Sequence, residues 1–95
     1  MKFVDIPTAV KARFDEEGLV TPITFRWRGR DVRISDVGHR WTEPRGPHPV
    51  LRPGRTCQLR HYLVMIPSQD AFELCLDTGA MQWKITRVWE RERVI

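Results

Sequence analysis

The sequence predicts an all-β domain, an antiparallel meander of five or six strands that curls into a small SH3-like or similar barrel. Three observations carry this. Apolar residues alternate with polar ones over most of the chain, glycine and proline cut it into short pieces, and no crossover helix separates the pieces. At 95 residues the chain has room for one modest core. Folding at this size buries only ~60–70% of the unfolded surface. With 41% hydrophobic and 29% charged residues, the composition is that of a globular domain and excludes a disordered one. The reading is therefore one domain over residues 1–95.

The elements follow in chain order. Val10, Ala12 and Phe14 share a parity, and Asp15-Glu16-Glu17-Gly18 reads as a turn. Pro7 would suit the first turn of a short helix over 7–17, but the alternation favours a strand. Ile23, Phe25 and Trp27 then alternate with Thr24, Arg26 and Arg28, and after Gly29 Val32 and Ile34 alternate with Arg33 and Ser35. Two hairpin registers keep these apolar residues together. One pairs Trp27 with Val32 and sets Arg26 against Arg33, a repulsive pair. The other pairs Phe25 with Val32, sets Arg26 against Asp31 and places the turn on Arg28-Gly29. Sequence alone does not choose between them.

From Thr42 to Gly54 there are four prolines and two glycines, which predicts a long irregular loop at about 42–54. Leu59 to Ile66 ends apolar on both parities, as a central strand does. A second hairpin is expected around Thr78-Gly79, pairing Leu76 with Met81, Leu74 with Trp83 and Phe72 with Ile85. Trp27 and Trp83 belong to the core by parity, and Trp89 continues the parity of Trp83 to the core's margin.

The charge is unevenly placed. Of 16 basic residues, 13 are Arg, and nine of these fall between Arg26 and Arg60 beside only three acids. That stretch sums to +6 within a net +4, which leaves −2 elsewhere. Arginine offers a planar fork suited to phosphate or carboxylate. Arg26, Arg28 and Arg33 lie opposite the apolar strand face, and Arg30, Arg40, Arg45, Arg52 and Arg55 extend the group. Trp41, beside Arg40, is the candidate ring for stacking a base. Basic grooves with stacking aromatics are how small barrels hold single-stranded nucleic acid, through phosphate and with little sequence preference. The same arginines are also compatible with solvated strand faces.

Other chemistry is poorly supported. Cys57 and His61 are four apart, which in an extended strand separates them by ~13 Å, too far to share one ion. No second close ligand pair exists, so no metal is expected. Nothing local activates Cys57 or Cys75 as a nucleophile, and no glycine-rich phosphate loop occurs. No cofactor is expected. The longest apolar run, Leu63-Val64-Met65-Ile66, is far short of the ~20 residues of a membrane span. The N-terminus has no signal-peptide core, so a cytoplasmic location is expected.

The run Ile23-Thr24-Phe25-Arg26-Trp27-Arg28-Gly29-Arg30-Asp31-Val32-Arg33-Ile34 resembles the FxWRGRxYxV opening of a small bacterial domain family of unassigned activity. That domain stands alone or follows the catalytically dead Y-family-polymerase-like protein of the mutasome. The stretches Phe72–Asp77 and Trp83–Glu90 resemble the family's YELYxD and WxLxRVxD ending. This chain departs from the pattern at Cys75 and Val32, where the family tends to carry aromatics, and its proline-rich segment is longer. The resemblance implies a setting of DNA repair or damage tolerance, with a polymerase-like repair protein as partner, and no catalytic residues. The leading expectation is thus a non-enzymatic accessory module that binds DNA or RNA through its Arg-rich strand face. The alternative is a protein-docking module that uses Trp41 and the proline-rich loop.

Overall fold

The computed structural model describes residues 1–17, 19–48 and 52–91, with side chains described outside 45–57. Among the described residues there are eight strands and no helix. They are β1 (Lys2–Thr8), β2 (Val10–Phe14), β3 (Val20–Trp27), β4 (Arg30–Arg33), β5 (Asp36–His48), β6 (Arg52–Met65), β7 (Ala71–Asp77) and β8 (Gln82–Trp89). The all-β class and the antiparallel pairing are as expected. The single barrel is not. The strands form two separate sheets, one of order β1-β8-β7-β6-β5 and one of order β2-β3-β4. Each sheet keeps its own edges, so no barrel closes.

The sheets face each other across one core. Phe25 of the small sheet meets Phe72 of the large one edge-on, with ring centroids 4.9 Å apart, and Trp27 meets Phe72 at 5.2 Å. Tyr62, Val64, Ile66, Leu74, Ile85 and Val88 complete the buried cluster, against which Trp83 packs at the margin. The chain passes between the sheets at two corners, and a hydroxyl stitches each. Thr8 Oγ1 donates to the Arg26 carbonyl at 2.7 Å and accepts from the Arg26 amide at 3.0 Å. At the second corner the Ser35 amide and hydroxyl both donate to the Met65 carbonyl, at 2.8 and 2.9 Å.

The first hairpin adopts the electrostatically quiet register, with Phe25 opposite Val32 and Arg26 opposite Asp31. Arg28 and Gly29 both have positive φ, 51° and 76°, as a two-residue type I′ turn requires. Arg26 Nε donates to Asp31 Oδ1 at 3.3 Å.

Several expected features are corrected. Ile23 does not share the buried face of Phe25. Lys11 opposes Thr24 while Ala12 opposes Pro22, so Ile23 is the extra residue of a bulge and is exposed. The bulge falls beside Pro22, which has no N–H for the ladder. In the second hairpin Leu76 pairs with Trp83 and Leu74 with Ile85, two residues away from the expected register. The turn is longer than expected, spanning Thr78 to Met81. A second bulge at Thr86 then reverses the parity, so that Val88 is buried and opposite Phe72 while Trp89 moves to the other face.

The segment expected as an irregular loop at 42–54 is largely strand. β5 and β6 stay paired from Asp36↔Met65 out to His48↔Arg52. β5 lies at the sheet edge, where a strand needs partners on one side only and tolerates proline. Register shifts at Pro44–Gly46 and Pro47–His48 absorb the two donorless positions. β7 pairs with β6 only from Leu59 to Met65, so the distal part of β5–β6 continues as a two-stranded ribbon.

Candidate functional site

β2, β3 and β4 place Phe25, Trp27, Val10 and Val32 toward the core, so strand alternation sends the intervening residues to the open side. On that side Lys11, Thr24 and Arg33 form one rung across all three strands. With neighbouring strands ~4.8 Å apart, this rung is ~10 Å wide. Arg26 and Asp31 form the next rung, and Arg13 and Thr21 lie toward the other end. A hollow of about 240 Å³ opens between Lys11, Thr24, Arg26 and Asp31. Four cations thus meet one carboxylate on a surface made of short strands. Among the described residues, Arg26 is the member of this set with an ion pair.

The structure divides the remaining candidates. Arg28 sits in the turn, its Nη2 donating to Glu90 Oε1 at 2.9 Å and its guanidinium over the Trp27 ring. It is held at the hairpin's end. Arg30 is exposed opposite Trp27. Arg40 belongs to β5, where it lies over the Tyr62 ring, and its Nη2 donates to Thr21 Oγ1 at 3.3 Å. That bond carries the basic surface from the small sheet to the large one. A hollow of about 450 Å³ bordered by Arg13, Thr21, Asp36 and Arg40 marks the junction. The side chains of Arg45, Arg52 and Arg55 lie outside the described residues; their backbones belong to the β5–β6 ribbon.

Trp41 follows Arg40 in the strand and so points to the opposite face of the large sheet. There its half-buried ring stacks on His61 at 4.9 Å with 4° between planes, and on His39 at 5.2 Å. It does not join the arginines of the small sheet. Sequence reasoning passed over Lys11 and Arg13. Their parity, opposite Val10, Ala12 and Phe14, was visible, but nothing local says that their strand lies beside β3. It also passed over Arg60, which faces the core side of β6 beside Tyr62.

The open face of the large sheet has a different character. Trp41, His61, Cys75, Lys84 and Pro7 form one rung across all five strands. Two of its cations are each paired with a carboxylate, Lys84 Nζ 3.2 Å from Asp5 Oδ1 and Arg87 Nε 3.5 Å from Glu73 Oε2, and His61 Nε2 lies 3.7 Å from Glu43 Oε1. Burial, with the carboxylates of Glu73, Asp77 and Glu43, pushes the Cys75 thiol up to about 11, the opposite of an activated nucleophile. Among the described residues no three His, Cys, Asp or Glu side chains are placed to hold a metal ion. Among the described residues no helix is long and apolar enough to cross a membrane.

Comparison with protein-family models, with curated proteins and with solved structures finds no match to this chain.

Proposed function

We propose that this chain is a non-enzymatic accessory module that holds nucleic acid by its phosphate backbone on the open face of β2-β3-β4. One observation carries the reading: Lys11, Arg13, Arg26 and Arg33 occupy adjacent rungs of a single sheet face, with one carboxylate among them. Such a surface offers several donors to a polyanion and no element that reads base edges, so affinity would be electrostatic and tolerant of sequence. The resemblance carried by Ile23–Ile34 and by Phe72–Glu90 supports a DNA repair or damage-tolerance setting.

The test is fluorescence anisotropy with single- and double-stranded oligonucleotides over a salt series. For a single strand each neutralised phosphate contributes ~0.7 to the slope of log K against log salt, so Arg13→Gln with Arg33→Gln should lower it by ~1.4. An unchanged slope in that double variant removes the face from consideration. Asp31→Asn should strengthen binding, because it releases Arg26 and removes the carboxylate from the β3–β4 rung.

A second reading, protein docking, is favoured by the open face of the large sheet, where Trp41 stacks on His39 and His61 and the cations Lys84 and Arg87 are paired with Asp5 and Glu73. Such a face suits an uncharged, apolar protein surface, here that of a polymerase-like repair protein. Binding of that partner should be insensitive to salt and should weaken more with Trp41→Ala than with any one arginine variant.

A further inference from the structure

On the core side of the large sheet, the small sheet's cover ends at the rungs holding Arg40 beside Tyr62 and Thr42 beside Arg60. Beyond that edge the structure opens into a groove of about 480 Å³, within the size range of small-ligand sites. Arg40, Thr42, Arg60 and Tyr62 contribute to one side, and Glu17 and Leu19, from the β2–β3 connection, contribute to the other. Both guanidinium groups act electrostatically on the Tyr62 hydroxyl, Arg60 the more strongly. Burial nevertheless prevails and raises that hydroxyl above its ordinary value, so it remains a neutral donor. Among the described residues, neither Arg40 nor Arg60 has a carboxylate partner. Two arginines and a phenolic donor thus converge on an open groove in which, among the described residues, Glu17 is the opposing carboxylate.

Arg40 borders both this groove and the hollow that holds Arg13 and Thr21. The groove is therefore continuous with the basic face of the small sheet. We infer that the Arg40–Arg60 groove seats a phosphate of the same nucleic-acid strand, extending its path from β2-β3-β4 across Thr21 and Arg40 to Arg60. This inference rests on the proposed nucleic-acid reading and adds a second contact region to it. Arginine forks and a hydroxyl donor suit a phosphate oxygen set. Glu17 at the rim should weaken the site, which gives the assignment a test of sign.

The experiment uses the full chain and a short fluorescein-labelled single-stranded oligonucleotide, with the salt slope measured for three variants. Arg60→Gln should lower the slope by ~0.7, the value of one phosphate contact, and Arg60→Lys should restore it. Glu17→Gln should tighten binding at low salt. Should Arg60→Gln keep the wild-type slope while Arg13→Gln with Arg33→Gln lowers it, the groove lies off the path and the small-sheet reading survives. Should none of these variants change the slope, both assignments fall. If Arg60→Gln does not fold, Glu17→Gln decides, since unchanged affinity in that variant overturns the groove assignment.

Discussion

Glu73 is the residue on which the open face of the large sheet depends most. It is a carboxylate with 3% exposure, held by the Thr86 hydroxyl that the β8 bulge directs to it and by Arg87 Nε at 3.5 Å. Removing one partner of a buried charge is more damaging than never having had the pair, because the remaining ion is left desolvated. Arg87 is itself partly exposed, so water takes up some of the loss. Arg87→Met should cost ~1–3 kcal/mol in urea denaturation. Cys75 lies beside Glu73 in β7. Its thiol stands at about 11 in the folded chain against an ordinary 9.0, so the folded state holds the proton more tightly. That contribution is complete below pH 9 and is lost as pH rises toward 11, an effect of order 2 kcal/mol. Tyr62, also raised, acts in the same direction from pH 10 upward. Urea midpoints measured from pH 8 to 11 should fall, and Cys75→Ala should flatten the first part of that fall.

At the scale of the element, corners and bulges matter more than strands. Thr8 ends β1 and fixes both backbone groups of Arg26, which sets the angle at which β3 presents its basic side. Thr8→Val keeps the β-branched shape and loses two hydrogen bonds, so it should cost ~1–2 kcal/mol in chemical denaturation. Met81 closes the β7–β8 turn at φ 53° with an exposed side chain. An L side chain is disfavoured in that conformation, and Met81→Gly should therefore gain ~0.5–1 kcal/mol in the same assay. These features also mark the boundary of what the sequence shows. Alternation revealed both hairpins, the strand at Leu59–Ile66 and the outward placement of Arg26 and Arg33, because each depends on neighbours in the chain. The bulges at Ile23 and Thr86 depend on the partner strand, so Ile23 and Trp89 were assigned to the wrong faces. Prolines in 42–54 read as loop because the edge position that tolerates them is a property of the sheet. The grouping of Arg40 with Trp41 failed for a related reason: once the segment is a strand, adjacent residues must point apart.

At the scale of the molecule, two sheets share one core and leave two open faces of unlike charge. Lys11, Arg13, Arg26 and Arg33 crowd one face, while on the other Lys84 and Arg87 are each paired with a carboxylate. The net charge of +4 does not distinguish these faces, yet binding to a polyanion should. Arg33→Gln and Lys84→Gln each remove one positive charge, so any effect of net charge alone is the same in both. Screening at physiological salt limits exposed charges to a reach of ~8 Å, less than the thickness of two packed sheets at ~10 Å between their mid-planes. Arg33→Gln should lower the salt slope for a single-stranded oligonucleotide by ~0.7, and Lys84→Gln should leave it within error of wild type. Equal losses in the two variants would mean that nucleic acid responds to the chain's overall charge and not to a face. Loss in the first alone would locate the contact on the small sheet, whose edges and corners bring together cations that lie far apart in the sequence.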